Sequence, residues 1–392
     1  MQPLELLDEL RSPAGQALLE ELSHESLDER EAIGTITRLR SRYSQTLIAA
    51  ALDQTRLRER ARAKFVRAAE MYFTKAGLEQ ASSERMARHH GRRYAAFDHV
   101  VDLCCGVGGD LIGLASEGRR ATGVDRDPVH ARMAKLNADA NEVGDRVGVV
   151  CADVFDIPLE PRGAAFIDPA RRSGEDRFRA GASEPPLEWC YELANRGVHV
   201  GIKAAPGLPL DLAPRGWELE FVSEHRELKE CALWSPSLAT TARRATILPS
   251  GDSLVEANGA SLDVAPPGVF LLDPDPAVTR AGLVEALGAQ LGDCWKIDSM
   301  VAFLSADRPL NTAFARTLRI ESSLPWNLKA LRAELVRLDI GTIDIRKRGS
   351  AVDVDEVQRK LKLRGTRAAT VVLTRVADRP WAFVCVAPST DA

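Results

Sequence analysis

Between residues 98 and 204, short β-branched runs recur with helical segments between them. The runs are "HVVDLC" (99–104), "RATGVD" (120–125), "RVGVVCAD" (146–153), "AAFID" (164–168) and "GVHVGIKA" (197–204). "GGDLIGLASEG" follows the first run and "DPVHARMAKLNADANEVG" the second. Alternation of this kind predicts an α/β fold with a parallel sheet carrying helices on both faces. Residues 1–95 have few glycines and no period-2 alternation, and "DQTRLRERARAKFVRAAEMYF" runs at helical spacing with basic side chains outward. A helical N-terminal region is expected there, its arginines forming a solvated face or touching RNA.

Past residue 246 the pattern loosens. "ILPSGDSLVEANGASLDVAPPG" (247–268) is marked by proline and glycine, which places a domain junction in or near it. Then "SLPWNLKALRAELVRLDIG" reads as a helix closed by Gly341 and "TIDIRKRG" as a strand. "DVDEVQRKLKLRG" reads as a helix closed by Gly365 and "AATVVLTRV" as a final strand. The expected division is a helical region at 1–95, an α/β domain at 96–246, a connecting α/β segment at 247–315 and a last domain at 316–392.

Composition adds bounds. With 392 residues, 45% hydrophobic and 28% charged, the chain is an ordinary globular protein long enough for two or three domains. Its net charge of −4 shows no overall polyelectrolyte character, yet residues 316–376 carry fourteen Lys/Arg against seven Asp/Glu. A nucleic-acid partner would meet this local basic module. The N-terminus "MQPLELLDELRSPAG" is acidic and amphipathic, unlike a signal peptide, and no apolar run reaches the roughly 20 residues of a membrane span. A cytoplasmic protein without membrane contact is expected. Seven cysteines lack a C-x-x-C pair and any metal-type spacing with the seven histidines, so reduced thiols and no metal site are expected.

"VVDLCCGVGGDLIGLA" carries the strongest chemical signal. A strand ends at Asp102, and Gly106, Gly108 and Gly109 lead into a helix whose free N–H groups face a ligand. A nicotinamide cofactor would suit such a loop too. Three carboxylates separate the readings: Asp102 can accept from an ammonium, Asp125 from ribose hydroxyls, and Asp153 from an adenine amino group. That outline fits S-adenosylmethionine, whereas a pyrophosphate would face Asp102 as one anion against another.

"VVDLCCGVGGDLIGLA", "TGVDRDPVHARMAKLNADAN" and "VVCADVFD" resemble the first three motifs of class I methyltransferases, whose sheet is Rossmann-like. Within that superfamily they are most similar to the RNA-modifying branch that includes trimethylguanosine synthase, as is the lead-in "YFTKAGLEQASSERMARHH". The resemblance covers roughly residues 72–235. It implies S-adenosylmethionine binding by Asp102, Cys104, Gly106 and Gly108, by Asp125 and Arg126, and by Asp153 and Val154. The tail "IDIRKRG…VQRKLKLRG…ATVVLTR" resembles the THUMP-like module of some bacterial methyltransferases, which implies an RNA-binding role; the basic turn "IRKRGS" puts Arg346, Lys347 and Arg348 forward as RNA contacts or as a solvated basic surface. Few aromatics stand near it besides Trp326 and Trp381, so recognition of RNA shape and backbone is expected, with steep salt dependence.

"AAFIDPARRSGED" (164–176) poses a choice between a helix start and an active-site lip. Asp-Pro occurs at 127–128, 168–169, 273–274 and 275–276, and Asp capping a helix with Pro in its first turn explains the dipeptide without chemistry. Only Asp168 ends the fourth strand of the repeating pattern. In the family that position lies beside the donor methyl group, which makes Asp168, Pro169 and Arg171 the catalytic candidates. Amine-methylating members usually carry a second proline and an aromatic ring here; this chain has Ala170 and Arg171. Arginine can stack on a base or clamp a phosphate, so Arg171 and Arg172 are candidate substrate contacts.

The expected reaction is methyl transfer to a base nitrogen of structured RNA, tRNA or rRNA. Ribose 2′-O methyltransferases of similar fold use a Lys-Asp-Lys-Glu set, and Lys203, Glu230 and Lys75 stand in matching order. That leaves ribose methylation open, with Lys203 also touching substrate. No cysteine stands in a nucleophile motif, against carbon methylation. A scaffold that binds the cofactor and RNA without turnover is a further alternative, and so is a protein acceptor, since the same cofactor fold serves many substrates.

Overall fold

The computed structural model describes residues 3–25, 29–116, 118–171 and 183–388. The chain forms two compact units, one of residues up to 217 with 232–240, the other of 218–231 with everything from 241 on.

In the first unit four helices come first: α1 (Pro3–Arg11), α2 (Pro13–Ser23), α3 (Glu29–Leu39) and α4 (Gln45–Ala61). Ser12 and Ser44 cap α2 and α4, each hydroxyl accepting from a backbone N–H of the first turn. Two helices, α5 (Lys75–Gln80) and α6 (Glu84–Arg93), lead into the sheet. There follow β1 (His99–Leu103), α7 (Gly109–Ser116), β2 (Arg120–Asp125), α8 (Pro128–Ala140), β3 (Val147–Cys151) and β4 (Ala164–Ile167). The short strands β5 (Ala170–Arg171) and β6 (Ser183–Glu184) pair antiparallel, and α9 (Leu187–Asn195) and β7 (His199–Ala204) complete the run. Strands lie in the order β3-β2-β1-β4-β7, all parallel, with Asp102 opposite Gly123 and Phe166. The five expected strands agree with the observed ones to within two residues at either end. Parallel pairing turns every strand's C-terminal end toward one edge, and Asp102, Asp125 and the residues after β3 and β4 gather there. The N-terminal helices share the sheet's core: Leu18, Leu22, Leu47 and Phe65 belong to one buried cluster with Val100, Leu111 and Phe166.

The second unit holds β8 (Glu218–Glu224), most of β9 (Glu227–Trp234), β10 (Arg243–Leu248) and β11 (Asp252–Val255). It continues with β12 (Phe270–Pro274), α10 (Pro276–Ala281), α11 (Val284–Leu291), β13 (Trp295–Lys296) and β14 (Leu304–Ala306). Last come β15 (Ala315–Pro325), α12 (Leu328–Arg337), β16 (Ile340–Lys347), α13 (Val354–Leu361), β17 (Arg367–Val376) and β18 (Arg379–Val386). Seven of these strands make a mixed sheet in the order β13-β14-β12-β15-β18-β17-β16.

Two sequence expectations need correction here. Strand 367–376 is not the last, because β18 follows and runs antiparallel between β15 and β17. The hairpin turn is Ala377-Asp378, both at positive φ, so no glycine announces it. Nor do Gly341 and Gly365 close helices. The chain leaves α12 through Asp339 and leaves α13 through Lys362, both left-handed, and Gly341 lies within β16. The two glycines serve a close backbone crossing, since a Cβ on Gly341 would strike the carbonyl of Gly365. Gly365→Ala should therefore destabilise this unit by at least about 2 kcal/mol, a fall in melting temperature of about 4 °C or more. An unchanged thermal transition would refute the crossing as the reason for the glycines.

Candidate active site

The glycine loop joins β1 to α7. Cys104, Gly106 and Gly108 all have positive φ, a run that turns the backbone sharply across the strand ends. Gly106 has open space where a Cβ would project, whereas at Gly108 a Cβ would come within 3.1 Å of Ala134 on α8. Gly108 thus serves helix packing, and Gly106 leaves room for a ligand.

Asp102 at the tip of β1 is fully buried, and neither carboxylate oxygen has a hydrogen-bond partner among the described residues. Burial, reinforced by the Asp110 and Asp168 carboxylates, pushes its carboxyl well above the usual range, with Lys203 opposing. A buried carboxylate without a donor is costly unless a ligand supplies one. Asp125 accepts from the Gly106 N–H at 2.8 Å and the Asp127 N–H at 2.9 Å, which fixes the loop against the end of β2. Arg126 pairs with Glu184 at 2.7 Å on the surface. Asp153 accepts from the Phe155 N–H at 3.1 Å, and Val154 beside it is buried.

The structure distinguishes the Asp-Pro pairs. Asp127 and Asp275 cap α8 and α10, accepting from the backbone N–H groups of Val129 and Ala277. Asp168 caps no helix among the described residues. Its N–H donates to the Leu103 carbonyl, and its carboxylate accepts from the Lys203 ammonium at 2.7 Å. The two side chains are 28% and 15% exposed, at the lip of the strand-end cleft. Pro169 is half-buried next to them. Arg172 and the side chain of Arg171 lie outside the described residues.

Sequence reasoning missed the groups behind this pair. Asp110, the second residue of α7, accepts from Ser82 at 2.8 Å through one oxygen and from the His90 ring at 2.8 Å through the other. Its first oxygen also lies 3.7 Å from the Lys203 ammonium. Burial alone would raise the Asp110 carboxyl, but Lys203, His90 and Ser82 together hold it down to about 2. His90 is fully buried, its ring stacked on Phe166 at 4.7 Å. A signal was present: Asp110 is the lone charge in the otherwise apolar stretch "GVGGDLIGLA".

The remaining candidates belong to other elements. Lys75 is exposed at the start of α5, while Lys203 reaches the Gln80 carbonyl at the far end of that helix, about 7 Å along the axis. Glu230 is a buried residue of β9 in the second unit. There too Arg346 pairs with Asp344, Lys347 donates to the Val352 carbonyl, and Arg348 is spent on Asp273, the Pro274 carbonyl and the face of Phe303. No cluster of metal-ligating side chains occurs among the described residues, and no helix there is long and apolar enough to cross a membrane. Burial raises the thiols of Cys104, Cys105 and Cys231, and that of Cys190 to about 12.

An uncharacterized S-adenosylmethionine-dependent methyltransferase of Mycobacterium tuberculosis is 37% identical to this chain over 350 residues, 85% of the chain and 96% of that protein. The chain belongs to the S-adenosylmethionine-dependent methyltransferases. Residues 97–188 match the RNA cap guanine-N2 methyltransferase family, residues 315–387 the THUMP domain-like family, and residues 3–61 a domain of unknown function, DUF8688. A crystal structure of a provisionally assigned methyltransferase from Porphyromonas gingivalis W83 covers 93% of this chain and 100% of its own, with TM-score 0.74 and 21% identity, which shows the shared fold. The 23S rRNA (uracil(1939)-C(5))-methyltransferase RlmD of Shewanella amazonensis is 31% identical over 105 residues, 26% of this chain and 24% of that protein.

This class I methyltransferase with a THUMP-like C-terminal domain therefore uses S-adenosylmethionine. The residues at the strand ends suit that cofactor, because the unpartnered Asp102 carboxylate offers an acceptor for an ammonium and Gly106 leaves open space beside it.

Proposed function

We propose that this methyltransferase acts on structured RNA and transfers the methyl group to a base nitrogen held at Asp168. The observation that carries the reading is the Asp168 carboxylate itself, partly exposed at the tip of β4 and paired with Lys203 rather than capping a helix. An anionic acceptor there can take the N–H of the target base and orient its nitrogen toward the cofactor, so that positioning supplies most of the rate. The cofactor contacts proposed are Asp102, Cys104, Gly106 and Gly108 for the methionine part, Asp125 and Arg126 for the ribose, and Asp153 and Val154 for the adenine. Pro169 and Arg171 shape the acceptor side, with Arg172 as a further substrate contact.

RNA as the acceptor is supported by the guanine-N2 family match, the partial likeness to RNA methyltransferases and the basic C-terminal segment. Arg346 and Lys347 are half-paired surface cations suited to phosphate, while Arg348 is used within its own unit. Carbon methylation of a pyrimidine needs a thiolate, and burial works against one at Cys104, Cys105, Cys190 and Cys231.

A second reading, ribose 2′-O methylation, draws on the 2.7 Å contact of Lys203 with Asp168 at the ends of β7 and β4. Incubating the protein with cellular RNA from a strain lacking the gene and a methyl-deuterated cofactor, then digesting to nucleosides for mass spectrometry, separates the two. Label on a base is the expected result. Label on ribose would favour the second reading, and cofactor bound without label in any nucleoside would refute RNA methylation.

A further inference from the structure

Lys203 is a cation that contacts Asp168, and what fixes its charge decides what it can do. Two carboxylates flank its ammonium, Asp168 at 2.7 Å and Asp110 at 3.7 Å, and the Gln80 carbonyl accepts from it at 3.3 Å. Asp102 on β1 adds a third negative charge at longer range whenever it is ionised. Asp110 is in turn pinned from α6 and from the segment before it: His90 donates to one oxygen and Ser82 to the other. The side chains of His90 and Asp110 are 0% and 6% exposed, so solvent does little to weaken this anion's hold on Lys203. His90 is itself fixed between Phe166, stacked at 4.7 Å, and the edge of Trp234 at 6.3 Å.

We propose that Ser82, His90 and Asp110 form a buried positioning set that holds Lys203 as a permanent cation turned toward Asp168. Lys203 then serves as a clamp on the Asp168 carboxylate and not as a proton acceptor. The inference rests on the reading of Asp168 as the acceptor-side residue, and it opposes ribose chemistry, which needs a lysine able to lose its proton. A lysine tuned to act as a base lies beside a second cation or in an apolar pocket; the described residues that meet this ammonium are two carboxylates and a carbonyl.

The test reads the proton on Lys203 directly and needs no RNA. Trace acetylation of the full-length protein across pH 7–11, followed by peptide mass spectrometry, gives the midpoint at which each lysine becomes reactive. Exposed Lys75 serves as the internal reference. In the wild type the Lys203 midpoint should lie above that of Lys75, and in Asp110→Asn it should fall by about one pH unit. Asp168→Asn, altering a partly exposed residue, should lower it as well. A wild-type midpoint below that of Lys75 would overturn the proposal, whether or not the variants fold. So would an unchanged midpoint in a folded Asp110→Asn protein. As a second readout, transfer by Asp110→Asn should lose activity at the alkaline end of its pH profile first, where the clamp discharges, while cofactor affinity changes less than threefold. An alkaline limb coinciding with that of the wild type would count against the set. Failure of the wild type to label any RNA would sink the proposed substrate and leave the acetylation result standing, so the two failures are distinguishable.

Discussion

Replacing Asp102 with asparagine should weaken S-adenosylmethionine binding by about 30-fold or more at neutral pH, the range for removing one partner of a buried charge pair. In the cofactor-free protein this carboxyl is buried without a donor and its proton is held well above the usual carboxylate range. A ligand ammonium favours the ionised form, so binding should expel the proton. Affinity should then rise with pH, by up to about tenfold per unit, until the raised titration is passed. Calorimetry in two buffers of different ionisation heat measures the proton released. The Asp102→Asn protein has no such proton to release, and its affinity should lose that pH dependence. The stability sign follows from the same shift. A carboxyl whose folded titration is raised contributes stability fully present below its unfolded value near 4, lost as pH rises through the folded value. The melting temperature of the wild type relative to Asp102→Asn should therefore fall as pH increases from about 4 toward neutrality. A constant difference across that window would remove Asp102 from the argument.

Asp168→Ala should behave in the opposite way. Transfer to RNA should drop by at least about a hundredfold, within the range for losing a positioned acid–base or acceptor group. Cofactor affinity should stay within about threefold, because the Asp168 carboxylate bonds Lys203 at the acceptor side of the strand ends. Its partial exposure makes the substitution tolerable for folding. Single-turnover kinetics with a fixed RNA preparation and parallel cofactor titration separate the two effects. Loss of binding together with loss of transfer would show that the two sides of the cleft are not independent.

The first unit was largely legible because parallel strands bounded by glycine and Asp-Pro punctuate the sequence strongly. Asp102 and Asp125 stand at the ends of β1 and β2, and Asp153 follows β3, so their gathering at one edge follows from parallel pairing. Asp168 could be set apart from three look-alike dipeptides only by its place in that order; the structure gives the chemical difference from two of them, Asp127 and Asp275, a lysine in place of a helix start. His90 and Ser82 were not legible. They stand in a helical lead-in rich in arginine, and only packing against Phe166 and Asp110 distinguishes them from surface residues. In the second unit glycine misled: Gly341 and Gly365 allow two backbones to cross, while the real left-handed exits fall on Asp339 and Lys362. Strand β18 escaped for the converse reason, a tight turn made without glycine.

A crystal structure of the protein with S-adenosylhomocysteine, which keeps the amino-acid head, the ribose and the adenine, tests the division of the cleft most directly. The expected result is the ligand's ammonium within about 3 Å of an Asp102 oxygen and its sulfur facing the Asp168 side, with Lys203 still on Asp168. An ammonium bound elsewhere, with Asp102 left without a partner, would contradict it.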